Sequence, residues 1–409
     1  MRVDLRPSQI KAVDDLDSGS ILAGGVGSGK SRTALAYFFL KVCHGKFRIN
    51  GEGETEAMRW PRDLYIITTA TKRNKHEWDE EAALFSLAKD PADSFSGCKM
   101  VIDSWNNIKK YEDVKDAFFI FDEQHLLGYG VWVQAFRRIA KKNKWILLSA
   151  TPGDNWINFL PVFIGNGFYE HKTDFVEQHV VYAPYTHFPK IQRYTGVDKL
   201  RRLRDQILVT MPDDRKTVRH HHVVNCEYDR ELFDTVMKKR WNPWEDEPIR
   251  ESGMYFHLMR KVVNQDMSRL AEVCKLAKDH QKLIIFYNFD YELEILRTLG
   301  DILDCPVGEM NGHKRKNDPI PDGERWVYLV QYLSGAEAWN CVETDTMVFW
   351  SLNYSWSLME QAEGRIDRLN TTFIDLHYYL LKSKSPIDTQ VMKALVAKEK
   401  FNEDHFRSN

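Results

Sequence analysis

A glycine-rich octapeptide near the start of the chain matches the phosphate-loop pattern GxxxxGK[ST]. Residues 24–31 read GGVGSGKS, an apolar run at 21–23 precedes them, and a helical pattern extends from Ser31 to about Val42. In this strand–loop–helix order the glycines let backbone amides turn toward phosphates, and the helix start adds its positive partial charge. The octapeptide therefore predicts a site for a nucleoside triphosphate.

The polar side chains of the loop have predicted roles. The Lys30 ammonium is expected on the β- and γ-phosphates, and the Ser31 hydroxyl is expected to bind Mg²⁺. The other predicted phosphate contacts of the loop are Gly25, Gly27, Ser28 and Gly29. ATP and Mg²⁺ are accordingly the predicted cofactors.

Length and composition set the broad class of protein. A chain of 409 residues exceeds one ordinary core, which favours two domains or three. It is 43% apolar, and no apolar run approaches the roughly 18 residues of a membrane span. Its six cysteines are dispersed without a CxxC pair, which indicates reduced thiols and no zinc site. Because the first residues do not resemble a signal peptide, we expect a cytoplasmic protein without membrane contact.

Short β-rich apolar runs alternate with helical patterns along the chain. The runs lie at 64–68, 99–102, 118–121 and 145–148, and then at 223–224, 283–286, 327–330, 347–350 and 373–376. This alternation predicts two tandem α/β domains with parallel sheets and crossover helices. The predicted domains are 1–212 and 213–409, with a helical insertion at about 228–280 in the second.

Two acids follow one of these runs directly. Residues 118–121 are apolar, and Asp122 and Glu123 come next. Carboxylates at the carboxyl end of a buried strand face the crevice where open α/β sheets bind their ligands. We therefore expect Asp122 to hold Mg²⁺ and Glu123 to polarise the attacking water.

The motifs together resemble those of superfamily 2 helicases. Four of them stand in that family's order, at 24–31, 122–125, 149–152 and 361–368. The resemblance implies two RecA-like domains and makes 122–125 (DEQH) the DExH form of motif II. It also implies that Gln9 recognises adenine, and that Ser149 and Thr151 of motif III couple the state of ATP to the domains.

The same resemblance implies contacts to a nucleic-acid backbone. Segments 68–78 and 101–105 stand in the place of motifs Ia and Ib, segment 334–340 stands in the place of motif V, and 283–287 resembles motif IV. The contact residues implied by these positions are Thr69, Lys72, Ser104, Trp105 and Ser334.

Motif VI reads QAEGRIDR and carries two arginines. Arg365 and Arg368 are three residues apart, which predicts that they share one helix face. On a second domain such a pair can reach the γ-phosphate and stabilise transition-state charge, which a guanidinium does better than an ammonium. Gln361 of the same motif is implied as a nucleotide contact.

Within superfamily 2 the C-terminal half is most similar to Swi/Snf-type translocases, because an aromatic segment at 353–357 precedes motif VI. The chain departs from that pattern in three ways: motif V lacks the usual run of glycines, Gln124 replaces an alanine, and Leu369 and Asn370 replace Gly-Gln. A two-domain chain with no recognisable accessory module resembles helicases encoded by bacteriophages and mobile elements.

These observations predict a monomeric ATP-dependent DNA helicase or translocase in replication, recombination or repair. DNA is its predicted partner, together with other proteins of those processes. Contact through the backbone gives little sequence preference and strong salt dependence. Two alternatives stay open. One is an RNA-dependent ATPase or RNA helicase, since these motifs do not reveal a 2′-hydroxyl preference. The other is an ATP-controlled clamp or loader without processive motion.

Two further patterns are interpreted as structural. The basic clusters at 72–75, 137–144, 201–204 and 314–316 are each most simply a solvated helix face. The three histidines at 220–222 are a poor metal site, because consecutive residues of an extended segment point to opposite faces.

Overall fold

The computed structural model describes residues 1–25, 27–123, 130–184, 189–212, 215–313, 317–335 and 339–406. The chain divides into two compact units, Met1–Asp214 with Asn402–Asn409, and Arg215–Phe401. Each unit contains its own six-stranded sheet. The division follows residue 214, and the sequence had suggested residue 212.

The first unit alternates strands and helices. Its strands are β1 (Arg2–Val3), β2 (Ile21–Ala23), β3 (Arg48–Ile49), β4 (Leu64–Thr68), β5 (Met100–Ser104), β6 (Phe118–Asp122), β7 (Lys144–Ser149), β8 (Val180–Tyr182), β9 (Ile191–Tyr194) and β10 (Leu208–Thr210). Its α-helices are α1 (Pro7–Asp15), α2 (Lys30–Tyr37), α3 (Ala70–Asn74), α4 (Glu77–Ala83), α5 (Val131–Ala140), α6 (Trp156–Gly165), α7 (Lys172–His179) and α8 (Val197–Ile207).

The main sheet of this unit has the order β10-β2-β7-β6-β4-β5, and its strand pairs are parallel. Every residue of β4 and of β6 is buried, as expected for a parallel sheet covered on both faces. The helices supply the cover. In α5, for example, Val133, Phe136 and Ile139 are buried while Gln134 and Arg138 are exposed.

The sheet order determines which side chains can meet. Strand β7 lies between β2, which precedes the phosphate loop, and β6, which ends at Asp122. Because these strands are parallel, their carboxyl ends share one edge of the sheet. The phosphate loop and the two acids therefore lie at the same edge, two strand positions apart.

The second unit repeats this architecture. Its strands are β11 (Val218–Cys226), β12 (Trp241–Asn242), β13 (Glu247–Pro248), β14 (Lys282–Tyr287), β15 (Val307–Met310), β16 (Trp326–Gln331), β17 (Thr346–Phe349) and β18 (Asp375–Ser383). Its α-helices are α9 (Arg230–Lys239), α10 (Ser252–Asn264), α11 (Met267–Asp279), α12 (Asp290–Arg297), α13 (Leu299–Leu303), α14 (Tyr332–Gly335), α15 (Trp356–Glu363) and α16 (Pro386–Phe406).

Its main sheet has the order β11-β18-β17-β14-β16-β15, again with parallel pairs. Helices α9 to α11 and the small antiparallel β12–β13 pair are inserted between β11 and β14. The predicted fold class is thus confirmed: two tandem RecA-like α/β domains with parallel sheets, and a helical insertion in the second.

A buried arginine ties the insertion to the second sheet. The Arg269 side chain on α11 is fully buried and donates to Asp388 Oδ2 at 2.8 Å and to the Leu381 carbonyl at 3.0 Å. It also donates to the carbonyl of Trp350. Asp388 in turn accepts from the Ser383 amide at 2.7 Å. One charged pair therefore connects a helix with the ends of two strands.

We expect Asp388→Ala to destabilise the second unit by about 3–5 kcal/mol, because the Arg269 charge would be left buried without its carboxylate. The free energy of unfolding in urea measures the effect. The exposed Asp234–Lys238 pair on α9 offers a matched control, since Asp234→Ala removes a surface ion pair worth at most about 0.5 kcal/mol. Equal effects of the two substitutions would contradict the assignment.

The structure adds two observations on the class of protein. In the part of the chain that it describes, no helix combines the length and apolarity needed to cross a bilayer. All six cysteines are free thiols, and four of them are buried.

Candidate nucleotide site and nucleic-acid contacts

The phosphate loop connects β2 to α2, as predicted. Gly27 and Gly29 have φ angles of 81° and 84°, in the left-handed region that favours glycine. At Gly29 a Cβ atom would lie 2.6 Å from Gln9 Nε2, so a larger residue would displace the Gln9 side chain as well as strain the backbone. The predicted helix from Ser31 to Val42 is α2, which is followed by a π-helical turn at Phe38–Val42.

The Lys30 side chain folds over the loop. Its ammonium donates to the Gly24 carbonyl at 2.6 Å and to the Gly25 carbonyl at 2.9 Å. These are interactions that phosphate oxygens can replace, because both partners are acceptors for the same cation. Ser31 is the second residue of α2 and is half-buried.

The segment around Gln9 packs against the same loop. Gln9 Nε2 donates to the Gly29 carbonyl at 3.2 Å, and Gln9 Oε1 accepts from the Arg6 amide at 2.9 Å. The Arg6 guanidinium donates to the Ser28 carbonyl. Gln9, the predicted adenine-recognising residue, is thereby fixed beside the loop. Arg6, three residues before Gln9, is a loop contact that was not predicted from the sequence.

A phosphate group fits this loop on the loop's own chemistry. Ser28 Oγ is buried and has no hydrogen-bond partner among the residues that the structure describes. A Cβ atom at Gly24 would come within 2.7 Å of that oxygen, so glycine keeps the space open. An unsatisfied hydroxyl, a lysine ammonium and glycine backbone together form a donor set for phosphate.

Asp122, at the end of β6, is held by three donors on one oxygen. Its Oδ2 accepts from Thr68 Oγ1 at 2.8 Å, from Lys72 Nζ at 3.0 Å and from Trp78 Nε1 at 3.0 Å. Burial would raise the pKa of Asp122, but Lys72, Thr68 and Trp78 together lower it below its usual value. Asp122 is therefore held as a carboxylate, the form that can bind a cation.

Glu123 adopts an unusual backbone conformation. Its φ angle is 54°, in the left-handed region that a non-glycine residue rarely enters. Its Oε1 lies 2.8 Å from Lys72 Nζ, and its side chain is 38% exposed. Backbone strain at the end of a strand beside a candidate site is a known mark of function. Glu123 thus presents a partly solvated carboxylate next to the buried carboxylate of Asp122.

Motif III connects the phosphate loop to the acids. Ser149 ends β7, and its carbonyl accepts from the Gly24 amide at 3.2 Å. The Ser149 hydroxyl is buried and accepts from the Thr151 amide at 3.1 Å. Ser149 and Thr151, the predicted coupling residues, therefore lie close to the start of the loop, at the end of the strand between β2 and β6 and just after it.

Two residues proposed from motif Ia as nucleic-acid contacts belong to α3 and its N-cap: Lys72 lies on the helix next to the acids, and Thr69 is the cap. Thr69 caps α3, and its hydroxyl accepts from the Lys72 amide at 3.3 Å. The Lys72 ammonium contacts Asp122 and Glu123, as described above. Burial alone would lower the pKa of Lys72, but the two carboxylates raise it overall. In this structure the Lys72 charge is engaged by the candidate ATPase site.

The motif Ib residues occupy the end of β5. Ser104 is buried, and its hydroxyl accepts from Arg73 Nη1 at 3.5 Å. The Trp105 indole is buried at 2% exposure and donates to the Asp122 carbonyl at 2.9 Å. This burial indicates that the Trp105 ring fixes the backbone of Asp122, a role that the motif position alone did not reveal.

In the second unit, the predicted helical placement of the two motif VI arginines is wrong. Helix α15 ends at Glu363, and Arg365 and Arg368 lie in the turn and the loop after it. Gly364 forms the C-cap and ends the helix, so the spacing of three does not describe one helix face. Gln361, by contrast, is on α15 and is half-buried.

Arg365 contacts the segment assigned to motif V. Its Nη1 donates to the Trp339 carbonyl at 3.3 Å, and its own carbonyl accepts from the Cys341 amide at 3.0 Å. Ser334 lies on α14, immediately after β16 and at the carboxyl edge of the second sheet. Motifs V and VI are thus physically connected within this unit.

An arginine that the sequence analysis did not select anchors motif VI. Arg219 on β11 pairs with Glu360 at 2.9 Å, with Glu363 at 3.1 Å and with Asp367 at 2.7 Å. Arg215 adds a second 2.7 Å contact to Asp367. The acids interspersed with Gln361, Arg365 and Arg368 therefore bind β11, which fixes the backbone that carries the motif.

The three histidines of β11 alternate between faces, as predicted. His221 lies 3.0 Å from Glu363, whereas His220 and His222 stack on His377 from the other face of the strand pair. Glu363 raises the pKa of His221, although burial and Arg219 act against this, and exposed Glu399 adds a small increase.

We expect His221 to stabilise the second unit most at low pH. A histidine whose pKa is raised in the folded state stabilises that state fully below the unfolded-state pKa of about 6.5. This stabilisation is lost as the pH rises through the folded-state pKa. The unfolding free-energy difference between wild type and His221→Gln should therefore be largest below about pH 6.5 and shrink as the pH rises above it. Urea unfolding at a series of pH values measures it, and a difference that grows with pH would refute the assignment.

Some predicted positions lie outside the described residues. They are Val26 of the phosphate loop, residues 124–125 of motif II, residues 336–338 of motif V, the basic cluster at 314–316 and residues 213–214 of the predicted boundary.

Comparison with known proteins gives a likeness of fold. No protein-family model and no curated protein matches the chain. Among solved structures, the chain is similar to the Sulfolobus solfataricus SWI2/SNF2 ATPase core in complex with double-stranded DNA. The TM-score is 0.40 at 16% identity, over 98% of this chain and 92% of that one. At this level of similarity, function has to be argued from the residues of this chain itself.

Proposed function

We propose that this chain is a DNA-dependent ATPase of the helicase or translocase type, which couples hydrolysis of Mg²⁺-ATP to movement along DNA. The observation that carries the proposal is the shared sheet edge of the first unit. There a phosphate loop with an unsatisfied buried hydroxyl lies two strand positions from Asp122 and Glu123. The proposed phosphate-binding groups and the two carboxylates thus lie at one edge of one sheet.

Each residue of this edge has a part in the proposal. The Lys30 ammonium replaces its hydrogen bonds to the loop carbonyls with contacts to the β- and γ-phosphates, and Gln9 contacts the adenine. Ser31 and Asp122 would hold Mg²⁺, which supplies charge neutralisation on the phosphates when it is bound. Glu123 accepts a hydrogen bond from the attacking water and orients it.

Motif VI is proposed to complete the charge stabilisation. A γ-phosphoryl group in transfer carries negative charge on its equatorial oxygens, and a guanidinium placed there stabilises the transition state. Arg365 and Arg368 are the proposed donors, and Gln361 is a proposed nucleotide contact. The Arg219 network supports this role, because it holds the backbone of the motif in one conformation.

DNA contact is proposed for the residues at the carboxyl edges of the two sheets. These residues are Thr69, Lys72, Ser104, Trp105 and Ser334, with Trp105 acting through its backbone because its ring is buried. Such contacts would be made mainly to phosphates, which carry little sequence information.

The proposal is tested by ATP turnover with single-stranded DNA, duplex DNA, RNA and no polymer. Strong stimulation by DNA supports it, and a steep loss of stimulation with added salt supports phosphate contact. Stimulation by RNA alone would replace it with an RNA-dependent ATPase. Turnover that ignores every polymer, together with tight binding of a protein partner, would replace it with a clamp or loader.

A further inference from the structure

One lysine occupies the space between the two proposed catalytic acids. The Lys72 ammonium lies 3.0 Å from Asp122 Oδ2 and 2.8 Å from Glu123 Oε1, and its side chain is only 19% exposed. Among the described residues no other lysine, arginine or histidine forms an ion pair with either acid. Lys72 is therefore the one cation among the described residues that pairs with both carboxylates.

Lys72 also belongs to the element nearest the proposed DNA contacts. Helix α3 follows β4, is capped by Thr69, and carries Arg73 directly after Lys72. Arg73 Nη1 contacts Asp103 at 3.0 Å and Ser104 at 3.5 Å, at the end of β5. Two consecutive cations thus tie one short helix to the ends of two strands, β6 on one side and β5 on the other.

Both cations are bound to groups that a polyanion can replace. A phosphate oxygen is an acceptor for ammonium and guanidinium groups just as a carboxylate oxygen is. Mg²⁺ held by Asp122 would repel an ammonium on the same carboxylate, because both are cations. Lys72 and the metal therefore compete for Asp122.

We propose that Lys72 is a positioning residue that couples the two sites. Its ammonium holds Asp122 and Glu123 while no polymer is bound, and it moves to a backbone phosphate when nucleic acid binds, which leaves both carboxylates for Mg²⁺ and the attacking water. This inference rests on the proposed function and adds to it the route by which the polymer stimulates hydrolysis.

The coupling has a thermodynamic consequence that can be measured without turnover. If nucleic acid removes a competitor of Mg²⁺, it must strengthen Mg²⁺-nucleotide binding, and the nucleotide must strengthen nucleic-acid binding by the same factor. If Lys72 had a purely structural role, neither effect would be expected. Its removal would instead weaken the metal site.

The experiment is an Mg²⁺ titration of the binding of a fluorescent, non-hydrolysable ATP analogue, with and without a DNA oligonucleotide. For wild type, the oligonucleotide should lower the half-saturating Mg²⁺ concentration by about 5–150-fold. For Lys72→Met, that concentration should already be low without DNA, and DNA should change it by less than about twofold.

A matched control is available in the same unit. Lys99 is exposed and precedes β5 at the opposite, amino-terminal edge of the sheet. Lys99→Met makes the same change of charge, so it should behave as wild type. Should Lys72→Met fail to fold, as judged by circular dichroism, the neutral Lys72→Gln takes its place, because it can still donate a hydrogen bond to Asp122.

The outcomes distinguish a failure of the coupling role of Lys72 from a failure of the proposed function. If Lys72→Met requires more Mg²⁺ than wild type, or keeps the full effect of DNA, the coupling role of Lys72 is overturned while the proposed function stands. If wild type fails to bind the analogue at any Mg²⁺ concentration, the proposed function fails first. Retention of the DNA effect in Lys72→Arg, combined with its loss in Lys72→Met, supports the transfer of charge.

Discussion

Arg365→Ala is expected to reduce ATP turnover by about 10³-fold or more while nucleotide binding is preserved. The loss follows from the proposed role, because the guanidinium acts on charge that develops on the γ-phosphate only during the reaction. The phosphate loop and the two acids, which belong to the first unit, are unchanged by the substitution. The binding of ATP by that unit should therefore survive.

Arg365 also donates to the Trp339 carbonyl and is only 6% exposed, so a loss of fold has to be separated from a loss of chemistry. Circular dichroism and thermal unfolding make that separation. Arg297→Ala is a suitable control, since Arg297 likewise pairs with a buried group of the same unit, Glu309 at 2.7 Å, and has no proposed part in the reaction. Turnover should be unchanged in the control and only partly retained in Arg365→Lys, which keeps the charge but loses the fork geometry. Normal hydrolysis by a folded Arg365→Ala would remove motif VI from the active site.

Glu123→Gln is expected to lower turnover by about 10²–10⁴-fold, because an amide oxygen is too weak a base to orient and activate water. The substitution keeps the size of the side chain, and Asp122 keeps its three donors. ATP binding should therefore persist, and the variant should accumulate bound ATP.

Phosphate release and nucleotide binding, measured on the same preparation, decide this prediction. Glu177→Gln is a matched control, because Glu177 is exposed on α7 and its substitution makes the same change of charge. The prediction is refuted if Glu123→Gln hydrolyses ATP as fast as the control. A variant that binds no ATP would show instead that Glu123 supports the phosphate loop.

Six strands of the two main sheets were predicted to within one or two residues because each is a short, continuous apolar run: β4, β6, β7, β14, β16 and β17. Residues 64–68 are β4 as predicted, and 118–121 differs from β6 only by the added Asp122. A parallel sheet buries both faces of its strands, so composition alone identifies them. Strand β10 was missed for the opposite reason: it is three residues long, lies at the sheet edge next to β2, and falls where a domain boundary was predicted.

The placement of side chains was less accessible to sequence reasoning. A motif gives the position of Lys72 on the chain, but the direction of its side chain depends on where α3 begins and on which strand is next to β4. The end of α15 at Glu363 was also missed, since the spacing of Arg365 and Arg368 was interpreted as that of one helix face. Both outcomes follow from tertiary structure that spacing does not determine.

The proposed function requires a nucleotide held by the phosphate loop of the first unit, and Lys30 is the residue that tests this most directly. ATP turnover in the presence of DNA should be measured for wild type and for Lys30→Ala, which lacks the ammonium that binds the loop and, as proposed, the phosphates. The proposed function predicts DNA-stimulated hydrolysis of ATP by wild type and no hydrolysis above background by Lys30→Ala. Hydrolysis by Lys30→Ala at the wild-type rate would contradict it.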